Sequence, residues 1–303
     1  MLKDKIEKKK ANIKIVFLLF FLISLLPFVT CTLGTDTEVL RAATEIKNSM
    51  VWVSGGSFEL GRNLGTGGGS DVTPVSTVTM TGFYIGKYQV TQAQYQTIMG
   101  TNPSYFKNNP ASGETQSRRP VEQVTWYDAV EFCNKLSVLE RLTPAYTITN
   151  RSPSGGYPIT GANVTVNWSA SGYRLPTEAQ WEYAAKGGNG SLGSFAYSGS
   201  NNVDNVAWYG NNSGIRTHEV GKKSPNGLGI YDMSGNVWEW CWDWWGNYTS
   251  GAKTNPTGAV SGSYRVLRGG GWGGDAQGTR SAYRVNGYPR SRNFNIGFRV
   301  VRP

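Results

Sequence analysis

Residues 265–303 read RVLRGGGWGGDAQGTRSAYRVNGYPRSRNFNIGFRVVRP, and the rest of the chain is read outward from them. The stretch carries eight arginines and one acid, with no Lys, His or Cys. Val266 and Leu267 at one end, and Ile296, Phe298, Val300 and Val301 at the other, bracket a middle of Gly, Asn, Ser and Tyr. Apolar ends around a turn-rich middle predict a strand, a long irregular excursion and a closing strand. An excursion held at both ends is either idle loop or a binding face.

The 303 residues are 39% apolar, with 11 Trp, 16 Tyr and 11 Phe, enough for a packed core. The 39 glycines predict short strands and tight turns rather than long helices. Six lysines and two acids between Lys3 and Lys14 precede an uncharged apolar run from Ile15 to Thr30. A basic stretch before an apolar one is the pattern of a targeting segment over residues 1–31. Cys31 follows at once, where bacterial lipoproteins place the cysteine that is acylated, and the segment resembles such a signal. A lipid anchor at the cell surface (outer membrane), an uncleaved membrane anchor and a plain signal peptide all remain open, and each exports the chain. Removing the segment takes +4 from the formal net charge of +10 and leaves +6. Residues 32–49 read as a polar tether.

Beyond Cys31 only Cys133 and Cys241 remain, in AVEFCNKL and WEWCWDWW, so no disulfide framework exists. They read as buried small hydrophobes or as one mutual disulfide. A single histidine, His218, excludes His-cluster metal sites, and no Ser-His-Asp triad is expected.

Residues 50–303 read as one domain. Alternation in 50–61 around Gly55-Gly56 predicts a hairpin, and 78–89 a further strand. Three short helices are expected: Gln92–Met99 capped by Thr91 and stopped by Gly100; Thr125–Leu142 capped by Thr125; and a third after Thr177, with Gln180 as capping-box partner. A hairpin is expected from Tyr146–Ile148 and Val164–Trp168. Short strands with about three helices and no βαβ alternation indicate an α+β fold.

Taken as an ordered set, MVWVSGGSFELG, PVEQVTWYDAVEFCNKLS, GYRLPTEAQWEYAAKGG, NGLGIYDMSGNVWEW, RVLRGGGW and NIGFRVV resemble the sulfatase-modifying-factor family, which includes the formylglycine-generating enzymes. The resemblance spans about residues 50–303 and implies a variant of the C-type lectin-like fold. Active enzymes of that family carry two cysteines after the RGGSW motif. Here Gly274 and Thr279 stand at those positions, and neither residue binds copper or exchanges with a substrate thiol. The family's calcium sites imply Asn236, Glu239 and Asn205 as oxygen ligands, together with the Val206 carbonyl. A turn asparagine and a buried glutamate paired with arginine account for the same residues, and both readings stand open.

The end of the chain also resembles the variable proteins of diversity-generating retroelements, in which adenine-directed mutagenesis rewrites Asn-type codons between fixed ones. Against that pattern Arg268, Trp272, Ala276, Arg280, Ser281, Ala282, Arg284, Pro289, Arg292 and residues 295–299 are fixed. Between them lie Gly273, Gly274, Asp275, Gly278, Tyr283, Val285, Asn286, Gly287, Tyr288, Ser291, Asn293 and Phe294, each of a type that a diversified AAC or AAT codon yields. Tyr, Ser, Gly and Asn are also the residues that antibody paratopes favour.

The resemblance thus implies a variable, ligand-binding region over about 265–303, a protein or surface ligand as partner, no catalysis, and no required cofactor beyond structural calcium. Nucleic acid is not an expected partner, because the arginines are interspersed with Gly and aromatics rather than clustered. Stacking on Trp and Tyr, or pairing with acids such as Asp232 and Glu239, is their expected use.

Overall fold

A computed structural model describes residues 29–62, 72–188 and 195–303, with only the backbone given for 29–36. The segment 1–28 and the Cys31 side chain lie outside the described residues. Helix α1 (Val29–Asn48) runs into the domain. The chain divides into a unit ending at Arg41 and a unit from Ala42 to Pro303. Among the described residues no helix is long and apolar enough to cross a membrane.

The tether expected over 32–49 is corrected at its C-terminal end. Ala42, Ala43 and Ile46 are buried, and Ala43 and Ile46 join the domain core, as three- and four-residue apolar spacing allows on one helix face.

The strands are β1 (Met50–Val53), β2 (Gly56–Leu60), β3 (Ser76–Met80), β4 (Phe83–Gly86), β5 (Tyr146–Ser152), β6 (Gly161–Val166), β7 (Ala207–Trp208), β8 (Ser234–Gly235), β9 (Trp238–Trp244), β10 (Lys253–Thr254), β11 (Arg265–Arg268), β12 (Arg284–Gly287), β13 (Ile296–Gly297) and β14 (Val301–Arg302). They form sheets of order β1-β4-β14, β10-β3-β2 and β12-β11-β9-β13, with β5-β6 and β7-β8 pairs. The 50–61 hairpin does not form: β1 pairs with β4 and β2 with β3. Their alternation is that of two half-buried strands, and alternation alone does not name the partner. The 78–89 strand is likewise broken in two at Thr81-Gly82. The β5-β6 hairpin pairs Ile148 with Val164.

Besides α1 and one turn of α5 (Val203–Val206), the helices are α2 (Gln92–Met99), α3 (Trp126–Leu139) and α4 (Glu178–Ala185). Thr91, Thr125 and Thr177 each close a capping box with the residue three on. Gly100 ends α2 at φ 79°.

The C-terminal stretch joins two cores. Leu267, Phe298 and Val300 pack with Trp126, Phe132 and Tyr95, while Val266 and Val301 pack with Trp181, Phe83 and Ile85. Each such side chain contributes roughly 1.5–3 kcal/mol. Cys133 and Cys241 are free and buried, one in each core, and burial pushes both thiols up, so they act as small hydrophobes.

Three buried acids set a pH dependence. Burial raises Glu122 and Asp243 to about 7 and Asp232 to about 6. The folded state therefore keeps protons that the unfolded chain releases near pH 4. Their stabilisation is complete below that pH and is lost as pH rises through 6 to 7. Glu182 and Glu219 act oppositely. Against burial, Lys186 and Arg268 hold Glu182 low, and the Thr115 amide and Arg118 hold Glu219 low, so their stabilisation is lost on acidification. Urea titrations between pH 4 and 8 should show stability highest near pH 4 and falling steadily, by several kcal/mol in all, to pH 8. Glu122→Gln should flatten part of that fall.

Candidate ligand-binding face

The excursion leaves β11 through Gly269 and Gly270, at φ 94° and 76°. At Gly270 a Cβ would lie 2.7 Å from Thr279 Cγ2 and 2.9 Å from the Gly278 carbonyl, so only glycine lets the two arms of the loop meet. Trp272 is then pinned three times. Its amide donates to Asn236 O (2.8 Å), its indole to Phe294 O (3.1 Å), and its carbonyl accepts from Ser213 Oγ (2.8 Å).

Asp275 accepts from the Gly278 amide (2.9 Å) and opens a short turn over Gln277–Thr279. Strand β12, absent from the sequence expectation, then pairs antiparallel with β11.

Arginine side chains hold this path from beneath. Arg268, fully buried, donates to the carbonyls of Ala282 and Tyr283 (both 2.7 Å) and pairs with Glu182. Arg284 forms a bidentate pair with Glu178 at 2.7 and 2.6 Å, and its guanidinium lies over Trp245 and Tyr248. Arg265 is sandwiched between Trp126 (3.8 Å) and Trp244 (3.4 Å). Arg299 binds Glu239 at 2.6 and 2.7 Å. Both uses expected of the arginines occur. Asp232 instead accepts from the Gly221 amide.

The candidate variable positions sort differently from the fixed ones. Gly273, Asp275, Asn286, Tyr288, Asn293 and Phe294 are exposed; Gly274, Tyr283, Val285, Gly287 and Ser291 are half-buried. Gly278 alone is buried. Of the fixed set, Arg268, Trp272, Arg280, Ser281, Ala282, Arg284 and 296–299 are buried, Ala276, Pro289 and Asn295 are half-buried, and Arg292 is exposed. At Asn293 the scaffold is held through the backbone, whose carbonyl accepts from Gln123 and Ile296.

A Cβ added at Gly273, Gly274 or Gly278 meets nothing closer than 3.5 Å. At Gly287 it would lie 2.8 Å from Trp240 and 3.1 Å from Leu267, both buried. Gly287 is therefore a packing glycine, a correction to its place among the variable positions.

Sequence reasoning missed four aromatics from outside the excursion. Tyr105 and Phe106 reach Phe294 and Trp272 (centroids 5.9 and 5.3 Å), Trp238 lies beside Tyr283 (6.2 Å), and Tyr264 stacks on Tyr288 (4.4 Å). The Tyr264 hydroxyl donates to that of Tyr288 at 2.8 Å, which raises the Tyr264 phenol. Adjacent aromatics in the polar segment 101–119 were the available signal.

The implied calcium ligands do not fit a cation. Glu239, fully buried, accepts from Arg299 twice, from Trp181 Nε1 (2.8 Å) and from Gln89 Nε2 (3.0 Å), so its charge and lone pairs are used. Asn236 spends its side chain on the backbone of His218, both bonds at 3.0 Å, and Asn205 is exposed. Calcium at Asn236, Glu239 and Asn205 is corrected to the turn asparagine and arginine-paired glutamate. His218 lies between Glu114 and the Ser213 carbonyl (both 2.7 Å) and stacks on Trp208. At the positions of the enzymes' cysteines, Thr279 bonds Ala276 O through its hydroxyl, and Gly274 O accepts from Gly210 N.

Comparison with known proteins agrees with this geometry. The family model described as the sulfatase-modifying factor enzyme 1-like domain matches residues 35–303. The solved structure of Treponema denticola variable protein 1 is 41% identical, with a TM-score of 0.75, over 84% of this chain and 95% of its own. The chaperone protein LppX of Paenibacillus barcinonensis is 41% identical over 86% of this chain and 91% of that protein. The formylglycine-generating enzyme of Streptomyces coelicolor is 31% identical over 83% and 88%. The chain thus belongs to the sulfatase-modifying factor enzyme 1-like family, in its C-type lectin-like fold.

Proposed function

We propose that the chain is an exported, lipid-anchored surface protein that binds a protein or other surface ligand through the 271–294 face. In this reading a retroelement diversifies that face and the domain performs no catalysis. The observation that carries it is the sorting above: most side chains read as fixed are buried, whereas those read as changeable, Gly287 apart, are mostly exposed or half-buried, and Gly273, Gly274 and Gly278 have room for a side chain. Rigid elements carrying an adaptable Tyr/Gly/Asn/Ser loop form an economical binding surface. Gly274 and Thr279 in place of two thiols support the non-catalytic part.

Several isolates would be sequenced across codons 265–303. Substitutions should fall at adenine-derived positions of a nearby template and spare codons 268, 272, 280, 284 and 299. An invariant segment without a template would sink the proposal. Labelled palmitate should enter the chain and not a Cys31→Ser variant. A sulfatase peptide with copper should yield no aldehyde.

A second reading, an exported family domain with a constant role, draws on the LppX relative, whose name is that of a chaperone. An unvarying face that still binds protein would favour it.

A further inference from the structure

The segment from Ser104 to Lys107 carries an aromatic ring into solvent on a clamped backbone. Tyr105 is 67% exposed, yet its neighbours are fastened. The Phe106 amide donates to Glu122 Oε1 (2.9 Å), and its carbonyl accepts from Gln92 Nε2 (3.0 Å) and Gln116 Nε2 (2.5 Å). The buried Ser104 hydroxyl accepts from the Glu122 amide (3.2 Å), and the Tyr105 carbonyl from the Lys107 amide (2.9 Å). A ring held in place offers contact area that costs little further ordering on binding.

Tyr105 meets Phe294, 40% exposed, at 5.9 Å between centroids, and Phe106 at 5.1 Å. Phe106 and Phe294 in turn pack on Trp272 (5.3 and 5.5 Å). The cluster is therefore continuous with the 271–294 face, although Tyr105 and Phe106 come from outside the excursion.

Charge decides what the cluster takes. Lys107 follows Phe106, and Arg290 and Arg292 stand on the segment that leads to Phe294; all three are exposed. Among the described residues none of them forms an ion pair. Arg216, which bonds the carbonyls of Asn109 and Gly214, adds a fourth cation without an acid. The nearby acids are spent: Glu122 is fully buried, Glu114 is held by His218, and Asp275 accepts from the Gly278 amide. A positive surface with an aromatic centre complements a segment whose acidic side chains flank an apolar one. Single-stranded nucleic acid also joins anions to flat rings, but it stacks its bases on open ring faces. Here Tyr105, Phe106 and Phe294 pack against one another, tilted or edge-on.

We infer that the face takes an acidic protein segment, with an apolar side chain against Tyr105 and Phe294 and carboxylates on Lys107, Arg290 and Arg292. The inference rests on the binding-face reading above. It adds that part of the specificity is constant. Tyr105, Lys107, Arg290 and Arg292 lie outside the candidate variable positions, so variants of the face share the acidic preference.

A random peptide library displayed on phage, panned against the full-length chain in mild detergent, tests it. Recovered peptides should carry an excess of Asp and Glu beside Trp, Phe or Leu over the unselected library. Made synthetically, they should bind about tenfold more weakly to Tyr105→Ser and to Lys107→Glu/Arg292→Glu. The thermal midpoints of both variants should match the parent's, because the altered side chains are exposed. Raising salt from about 50 to 300 mM should weaken binding several-fold.

Peptides without the acidic excess, or binding that neither variant weakens, would overturn the assignment. If Phe294→Ala still weakens that binding, the face itself stands as a binding site. Binding untouched by all three variants, or an empty selection, would remove the face reading as well. Saturable binding of oligo-dT in competition with the peptides would replace the acidic segment by nucleic acid.

Discussion

Replacing Arg299 by Ala should cost 3–5 kcal/mol, on the scale found when one partner of a buried ion pair is removed. Arg299 and Glu239 are both fully buried. The guanidinium makes two contacts with the carboxylate and donates to Gly86 O (3.0 Å) and Tyr231 O (2.9 Å). Without it the Glu239 charge keeps only Trp181 and Gln89, both neutral donors.

For a domain of this size the loss corresponds to a fall in Tm on the order of 10 °C. The double variant Arg299→Met/Glu239→Leu should be less damaged than either charge-leaving single, because it buries no orphan ion. Urea denaturation of the two singles and the double provides the check. Additive losses, or a single variant costing under about 1 kcal/mol, would show that the pair is not the fastening described.

That pair also shows where reading the sequence reached its limit. Helix caps were legible because Thr91, Thr125 and Thr177 act on residues three positions away. Strand partners were not: β1 and β2 alternate alike, yet they enter different sheets, a choice made by β4 and β14 more than thirty and two hundred residues on. The motif around Asn236 and Glu239 fits a calcium turn and an arginine clamp equally. Only the arrival of Arg299 from the far end of the chain decides between them. The tether was misjudged because Ala42, Ala43 and Ile46 form a small apolar stripe within a polar segment. Tyr105 and Phe106 stand in a segment without helix or strand, and nothing local tells that they meet Trp272 and Phe294.

The excursion itself makes the sharpest distinction, between glycines with room for a side chain and glycines that pack. Gly273→Tyr should leave the thermal midpoint unchanged, since Gly273 is exposed and a Cβ there meets nothing within 4 Å. Gly287→Tyr should cost about 1–3 kcal/mol, the usual penalty for overpacking. Its Cβ would press 2.8 Å from Trp240, whose indole is fully buried and fixed by a bond to Val124 O (3.1 Å), so the ring has no room to yield. In the proposed reading adenine-directed mutagenesis would act on both positions, and the difference would be one of selection among folded products. In a library randomised at all twelve positions and sorted for display, positions 273, 274 and 278 should accept large residues while 287 returns glycine or depletes. Free substitution at 287 would mean that β12 can lift away from Trp240. In that case the sheet β12-β11-β9 would not be the rigid support on which a variable face depends.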